Sequence, residues 1–222
     1  MSALSPEFLE WIWSYRQVFK WFDEFDAAAL KLNPAEWDGD TQLKFLTTYG
    51  LTRGVAHQSL QSNFTRIVDK LHALFGNRLD EGNALNDLNN RWSEGINVVR
   101  DIQNGRDLKS FTSKLLWFYQ PKHMTMFDEF ARCGLRKWKL SQTAKGALNV
   151  NEKNFLELFD DFYLGSASWI EAAARYCDRS YPYPRRIADQ WLWLNGRPAR
   201  EKKAILDRFR VSIESSPIFE HY

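Results

Sequence analysis

Residues 104–135, NGRDLKSFTSKLLWFYQPKHMTMFDEFARCGL, hold the pattern from which the rest of the chain is read. Asn104-Gly105 is a turn pair, and the apolar and aromatic residues that follow form a helix that Pro121 stops. Between residues 111 and 120 Lys114 is the only charged side chain, and Leu115, Leu116, Trp117, Phe118 and Tyr119 follow it directly. That composition belongs to a buried helix, where an ammonium group is costly unless something uses it. Asp128 stands where an N-cap belongs, so a further helix is expected from there to Gly134. A site would be built on Lys114 and Asp128. The plainer readings are a lysine whose stem packs while its ammonium reaches water, and a cap with no other role.

Outward from this stretch, the chain reads as helices throughout. Residues 5–30 place Phe8, Trp11, Ile12, Tyr15, Phe19, Phe22 and Phe25 at helical spacing, as an amphipathic helix covering a core would. Helices are expected at 41–49, about 55–75 and 92–102, with Asp80–Asn90 polar and turn-rich. Trp138–Asn151 reads as loop or short helix, 152–163 and 166–177 as helices, and Ser180–Pro184 as non-helical because of its prolines. Helices at 185–196 and 199–214 complete the chain. No period-two run reaches strand length, so the fold class is all-α, with no break that would divide residues 1–222 into independent domains.

A hydrophobic content of 44% with 26% charged residues is that of a soluble globular protein with a sizeable core. Ten Trp in 222 residues point to aromatic surfaces, for packing or for stacking. Pro6, Glu7, Glu10 and Arg16 interrupt the first apolar stretch, so no signal peptide or membrane span is expected. Cys133 and Cys177 lack ligand or disulfide spacing, and the four His add no metal pattern. The expectation is a cytoplasmic protein without metal or cofactor, its two cysteines small core residues.

The net charge of +2 is unevenly spread: residues 1–99 hold 9 basic and 13 acidic groups, whereas 100–145 and 175–210 each hold 10 basic and 4 acidic. Two basic blocks suggest a polyanion-facing surface, as against an ordinary solvated one. Within the first block a helix starting near Ser110 would offer backbone N–H groups with Ser110, Thr112 and Ser113 beside them, a seat for phosphate flanked by Arg106, Lys109 and Lys122. An ordinary helical hairpin is the simpler account.

The segment SFTSKLLWFYQPKHMTMFDEFARCGL resembles the helix-hairpin-helix DNA glycosylases, in particular their 8-oxoguanine glycosylase-like branch. YGLTRGV (49–55) and RRIADQWLWLNGR (185–197) carry a weaker likeness to the same branch. In that family a hairpin leads into a helix bearing a catalytic lysine, and a loop delivers an aspartate that caps the next helix. Lys114 and Asp128 fall on those positions. Family hairpins usually carry glycines where Ser110-Phe111-Thr112-Ser113 stand, and the lysine-to-aspartate interval of 14 residues is shorter than usual.

The resemblance implies two helical lobes flanking a cleft, with the hairpin and catalytic segment at about 92–135. It implies an enzyme that flips a damaged or modified base out of duplex DNA and cleaves its N-glycosidic bond, with abasic-site lyase activity. Lys114, partly desolvated by its aromatic neighbours, would attack the sugar C1′, and Asp128 would help deprotonate it and offset the charge developing on the sugar. Stacking faces for the base would come from Trp117, Phe118, His123 and Phe127, with Trp138 a further candidate, although aromatic residues at helical spacing are more often core. Arg185 and Arg186, at a helix start, suit backbone phosphates or form an ordinary solvated pair, and Asp189 lines the pocket or, more simply, makes an intrahelical or inter-helix ion pair. The implied partner is double-stranded DNA, met by a monomer in a bacterial or archaeal nucleoid. An oxidised purine is the family's substrate; a hypermodified phage-type base, and hence antiviral defence, is the second possibility. The alternatives are a non-catalytic all-helical DNA-binding module and a helical protein-interaction domain.

Overall fold

The structure, a computed structural model, describes residues 4–51, 57–77, 79, 83–142 and 149–215, of which 57–59 and 214–215 by backbone alone. The elements are α1 (Pro6–Trp21), a π-helical stretch (Phe22–Asp26), α2 (Ala27–Ala29), a 3-10 turn (Pro34–Glu36), α3 (Gly39–Thr48) and α4 (His57–Phe75). They continue with α5 (Ala84–Ile102), α6 (Lys109–Tyr119), α7 (Glu129–Gln142), α8 (Phe155–Gly165), α9 (Ala167–Cys177), α10 (Pro184–Gly196) and α11 (Ala199–Ser215). The fold is all-α, with no strand among the described residues. None of their helices is long and apolar enough to cross a membrane. The chain divides into two compact units, Met1–Lys20 with Phe127–Tyr222, and Trp21–Met126.

The first unit is built on α7 and α10, which lie backbone to backbone. A Cβ on Gly134 would stand 2.8 Å from the Leu192 carbonyl carbon, and one on Gly196 would stand 2.5 Å from that of Phe130. The two pairs, 134 with 192 and 130 with 196, run in opposite directions along the chain, so the helices are antiparallel with one glycine from each at the crossing. Tryptophans fill the space around them. Trp11 stacks on Trp191 at 5.1 Å, Phe162 lies 5.3 Å from Trp191, and Trp13 stacks on Trp193 at 6.2 Å. Buried Glu10, on α1, pairs with Lys202 on α11 and accepts from the Asn195 amide at 3.0 Å.

The second unit packs α4 and α6 against α5 and encloses a cluster of aromatic rings. Phe118 meets Trp37 at 5.0 Å and Phe45 at 5.6 Å, edge to face, and Phe64 meets Phe111 at 6.0 Å. Gln120 closes the end of α4, its side-chain amide donating to the carbonyls of Phe75 at 3.1 Å and Asn77 at 3.2 Å.

Three segments differ from the sequence expectation. The helix expected from residue 92 begins at Ala84, because Leu88 is buried and Asp87 pairs with Arg91 one turn on. Gly134 does not end α7, which runs to Gln142, because the glycine serves the crossing and not a cap. The helical run over 5–30 is interrupted by the π-helical stretch at Phe22–Asp26. Of the sequence readings above, Thr52–Val55 in YGLTRGV, 80–82 in the turn-rich segment and 143–148 in the Trp138–Asn151 segment lie outside the described residues.

Candidate active site

The hairpin between α5 and α6 is shaped by Asn104 and Gly105, at φ +54° and +84°. The Gly105 N–H donates to the Arg100 carbonyl at 2.8 Å, closing α5 in a Schellman-type turn. The chain enters α6 through Leu108, which supplies no side-chain cap. The hydroxyls in the first turns of α6 point back into the helix: Thr112 Oγ1 donates to the Leu108 carbonyl at 3.1 Å and Ser113 Oγ to that of Ser110 at 3.0 Å, and both side chains are fully buried. Outside, Asp107 draws Lys109 to 3.1 Å and Arg100 to 3.5 Å, whereas Arg106 and Lys122 are exposed.

Lys114 sits one turn further, 8% exposed, on a helix whose residues 111–118 are all buried. Its Nζ donates to Ser110 Oγ at 3.0 Å and to the Tyr49 carbonyl at 3.4 Å. That carbonyl belongs to the C-cap of α3, where the negative end of the helix dipole favours a cation. The Tyr49 ring packs against Phe45 at 5.4 Å and Phe118 at 5.8 Å, and its hydroxyl donates to Asp26 Oδ1 at 2.7 Å. Asp26 is a carboxylate only 1% exposed. A polar string thus runs Ser110, Lys114, Tyr49, Asp26 through an aromatic core. Above Lys114 on the same helix, Tyr119 has its phenol pushed up by burial and, secondarily, by the charge of Asp69.

Asp128, in the first unit, is the N-cap that its position predicts. Oδ1 accepts from the Ala131 N–H at 2.8 Å, and its carbonyl accepts the first helical bond, from the Arg132 N–H at 3.0 Å. Beside it Phe127 is buried edge-on against Phe155 at 5.0 Å, with the Arg132 guanidinium 5.2 Å from the Phe127 ring centre.

No family model, curated protein or solved structure matches this chain. The site is therefore read from its own geometry. Trp117 is fully buried, and Phe118 belongs to the aromatic cluster around Trp37, while His123 is exposed in the turn after Pro121. Trp138, half-buried, packs edge-on against Phe162 at 5.2 Å. The guanidinium of Arg185 pairs with Asp160 and lies 5.0 Å from the Phe159 ring centre. Arg186 is buried against Asp189 on its own helix, so of the intrahelical and inter-helix ion pairs expected for Asp189 the structure shows the intrahelical one. Cys177 is buried and Cys133 partly so. No group of three or more His, Cys, Asp or Glu among the described residues could hold a metal ion. Tyr49 and Asp26 are the residues that sequence reasoning missed. Tyr49 stands in the quoted YGLTRGV, but its bond to Asp26 is a tertiary contact that no local pattern announces.

Proposed function

We propose that the protein is a DNA glycosylase with abasic-site lyase activity, on the helix-hairpin-helix glycosylase fold. The observation that carries this reading is Lys114, an ammonium group 8% exposed and the one charge in the buried run 111–118 of the helix that follows the hairpin. Burying a cation is expensive, and a functional amine explains its retention where a packing role does not. In this reading the target nucleotide is extruded from the duplex. The Lys114 amine loses a proton, which in the family that the chain resembles goes to the aspartate at the position of Asp128, and attacks C1′; the bond from C1′ to the base breaks, and the base departs with the bonding pair. The resulting aminal opens to a Schiff base, from which loss of a C2′ proton releases the 3′ phosphate. Asp128 also offsets the positive charge on the sugar, a role compatible with its single cap bond at Oδ1. Arg106 and Lys122, exposed around the hairpin, supply phosphate contacts, and Lys109 joins them by exchanging Asp107 for a phosphate.

Borohydride trapping tests this directly. The protein is mixed with duplexes carrying an abasic site, 8-oxoguanine or a modified cytosine, beside Lys114→Gln. A covalent band that disappears in the variant establishes the amine nucleophile, and the preferred duplex separates an oxidised-purine substrate from a hypermodified phage-type base, the latter implying a defence role. Salt-dependent DNA binding with neither adduct nor base release would sink catalysis. It would favour the non-catalytic DNA-binding module.

A further inference from the structure

The π-helical stretch and the buried carboxylate at its end have no part in the chemistry above. The Ala27 N–H donates to the Phe22 carbonyl, five residues back, so one extra residue is accommodated in this turn. The extra residue turns two successive side chains inward, and both Phe25 and Asp26 are buried. Phe25 packs against Tyr49 at 6.4 Å and Phe118 at 5.8 Å, and Asp26 receives the Tyr49 hydroxyl at 2.7 Å. A buried carboxylate is costly to keep, and here it holds one end of a residue whose other polar end, the carbonyl, accepts from Lys114. Tyr49 is therefore fixed at three points: its ring by phenylalanines, its hydroxyl by Asp26 and its backbone by the C-cap of α3.

We infer that Tyr49, held by the carboxylate of Asp26, is the positioning residue that sets where the Lys114 amine stands. The inference rests on the glycosylase reading for its catalytic consequence but not for its geometry, so two measurements separate the two. The first needs no DNA. Acetylation of the full-length protein, followed peptide by peptide by mass spectrometry, gives the reaction rate of Lys114 relative to the exposed Lys122. Tyr49→Phe keeps the ring and removes the bond to Asp26, and the Lys114 rate is expected to change about threefold or more. Asp26→Asn retains an oxygen acceptor and is expected to stay at the parent rate; Asp26→Leu, with the same branching but larger and without an acceptor, is expected to repeat Tyr49→Phe. Thermal unfolding checks that each variant folds, and either of the two loss variants suffices.

The second measurement is the rate of borohydride trapping at saturating abasic duplex. A displaced nucleophile lowers that rate about 10-fold in Tyr49→Phe and Asp26→Leu while half-saturating DNA is unchanged, with Asp26→Asn close to the parent. Parent-like acetylation and trapping in a folded Tyr49→Phe would overturn the inference. So would loss in Asp26→Asn equal to that in Asp26→Leu, because the charge and not the hydrogen bond would then be responsible. A shifted acetylation rate with no trapped adduct from the parent protein would uphold the positioning of Lys114 and bring down the glycosylase reading alone.

Discussion

Replacing Gly134 by alanine puts a methyl group where the Leu192 backbone of α10 already stands, 2.8 Å from a carbonyl carbon and nearer still to its oxygen. A side chain in the way could rotate; a backbone carbonyl inside a helix cannot. The helices must part by about 1 Å, a displacement that overpacked cores resist at about 1–3 kcal/mol, and the backbone obstacle puts this site at the upper end. Against this stands the gain of replacing a mid-helix glycine, about 1 kcal/mol. The net loss is about 1–2 kcal/mol. For a chain of this size that lowers the Tm by about 2–8 °C. Gly165→Ala is the control, because nothing lies within 4 Å of its Cβ position, and it should leave the Tm at or above the parent value. Gly196→Ala should resemble Gly134→Ala, and the double variant should lose less than the two together, since helices parted at one site relieve the other. Urea and thermal unfolding followed by circular dichroism measure all four. A Gly134→Ala Tm equal to or above the parent's would refute the backbone contact between α7 and α10.

Asp128 carries two roles that substitution separates. Asp128→Ala should cost about 1 kcal/mol through the lost cap, whereas Asp128→Asn keeps the cap and the stability but, if the glycosylase reading holds, loses DNA trapping. Alkaline pH should destabilise the fold. Burial pushes the Cys177 thiol up to about 12 and the Tyr15 phenol to about 12, both above their unfolded values of 9.0 and 10.0. The folded state therefore holds its protons longer; stability from these groups is complete below pH 9 and lost as pH rises towards 12. Urea midpoints between pH 7 and 10.5 should fall only above about 9, and a flat profile would contradict the burial of both groups. The same burial makes Cys177 inert in the native protein, so an alkylating reagent should label Cys133 first and Cys177 only with denaturant, as read by mass spectrometry.

The helices were legible because their signals are local. Apolar spacing, the Asp128 cap and the turn at Asn104-Gly105 each act within a few residues, whereas Pro184, read as non-helical, is the first residue of α10 because a helix start needs no N–H from it. Lys114 stood out for the same reason, as one charge in an apolar run. What escaped was set by packing between distant segments. Gly134 looks like a stop signal until α10 lies against it, and Asn-rich 84–90 looks like a turn until Leu88 finds its core. Asp26 reads as one of several carboxylates in an acidic stretch; only the π-helical turn and Tyr49 single it out.

The unit that holds Lys114 is continuous in sequence, Trp21–Met126, whereas the other is split between the first twenty residues and everything after Met126. On the ribosome this order matters. Every contact within Trp21–Met126 is available once Met126 has left the exit tunnel, but Trp11 must wait for Phe162 and Trp191 to be made. The apolar flank of α1 emerges first and is covered last, so slowing translation after Met126 prolongs the time for which its tryptophans stand in water, open to chaperones or to other nascent chains. The cell-level yield of this protein should thus depend on how fast the residues after Met126 are made.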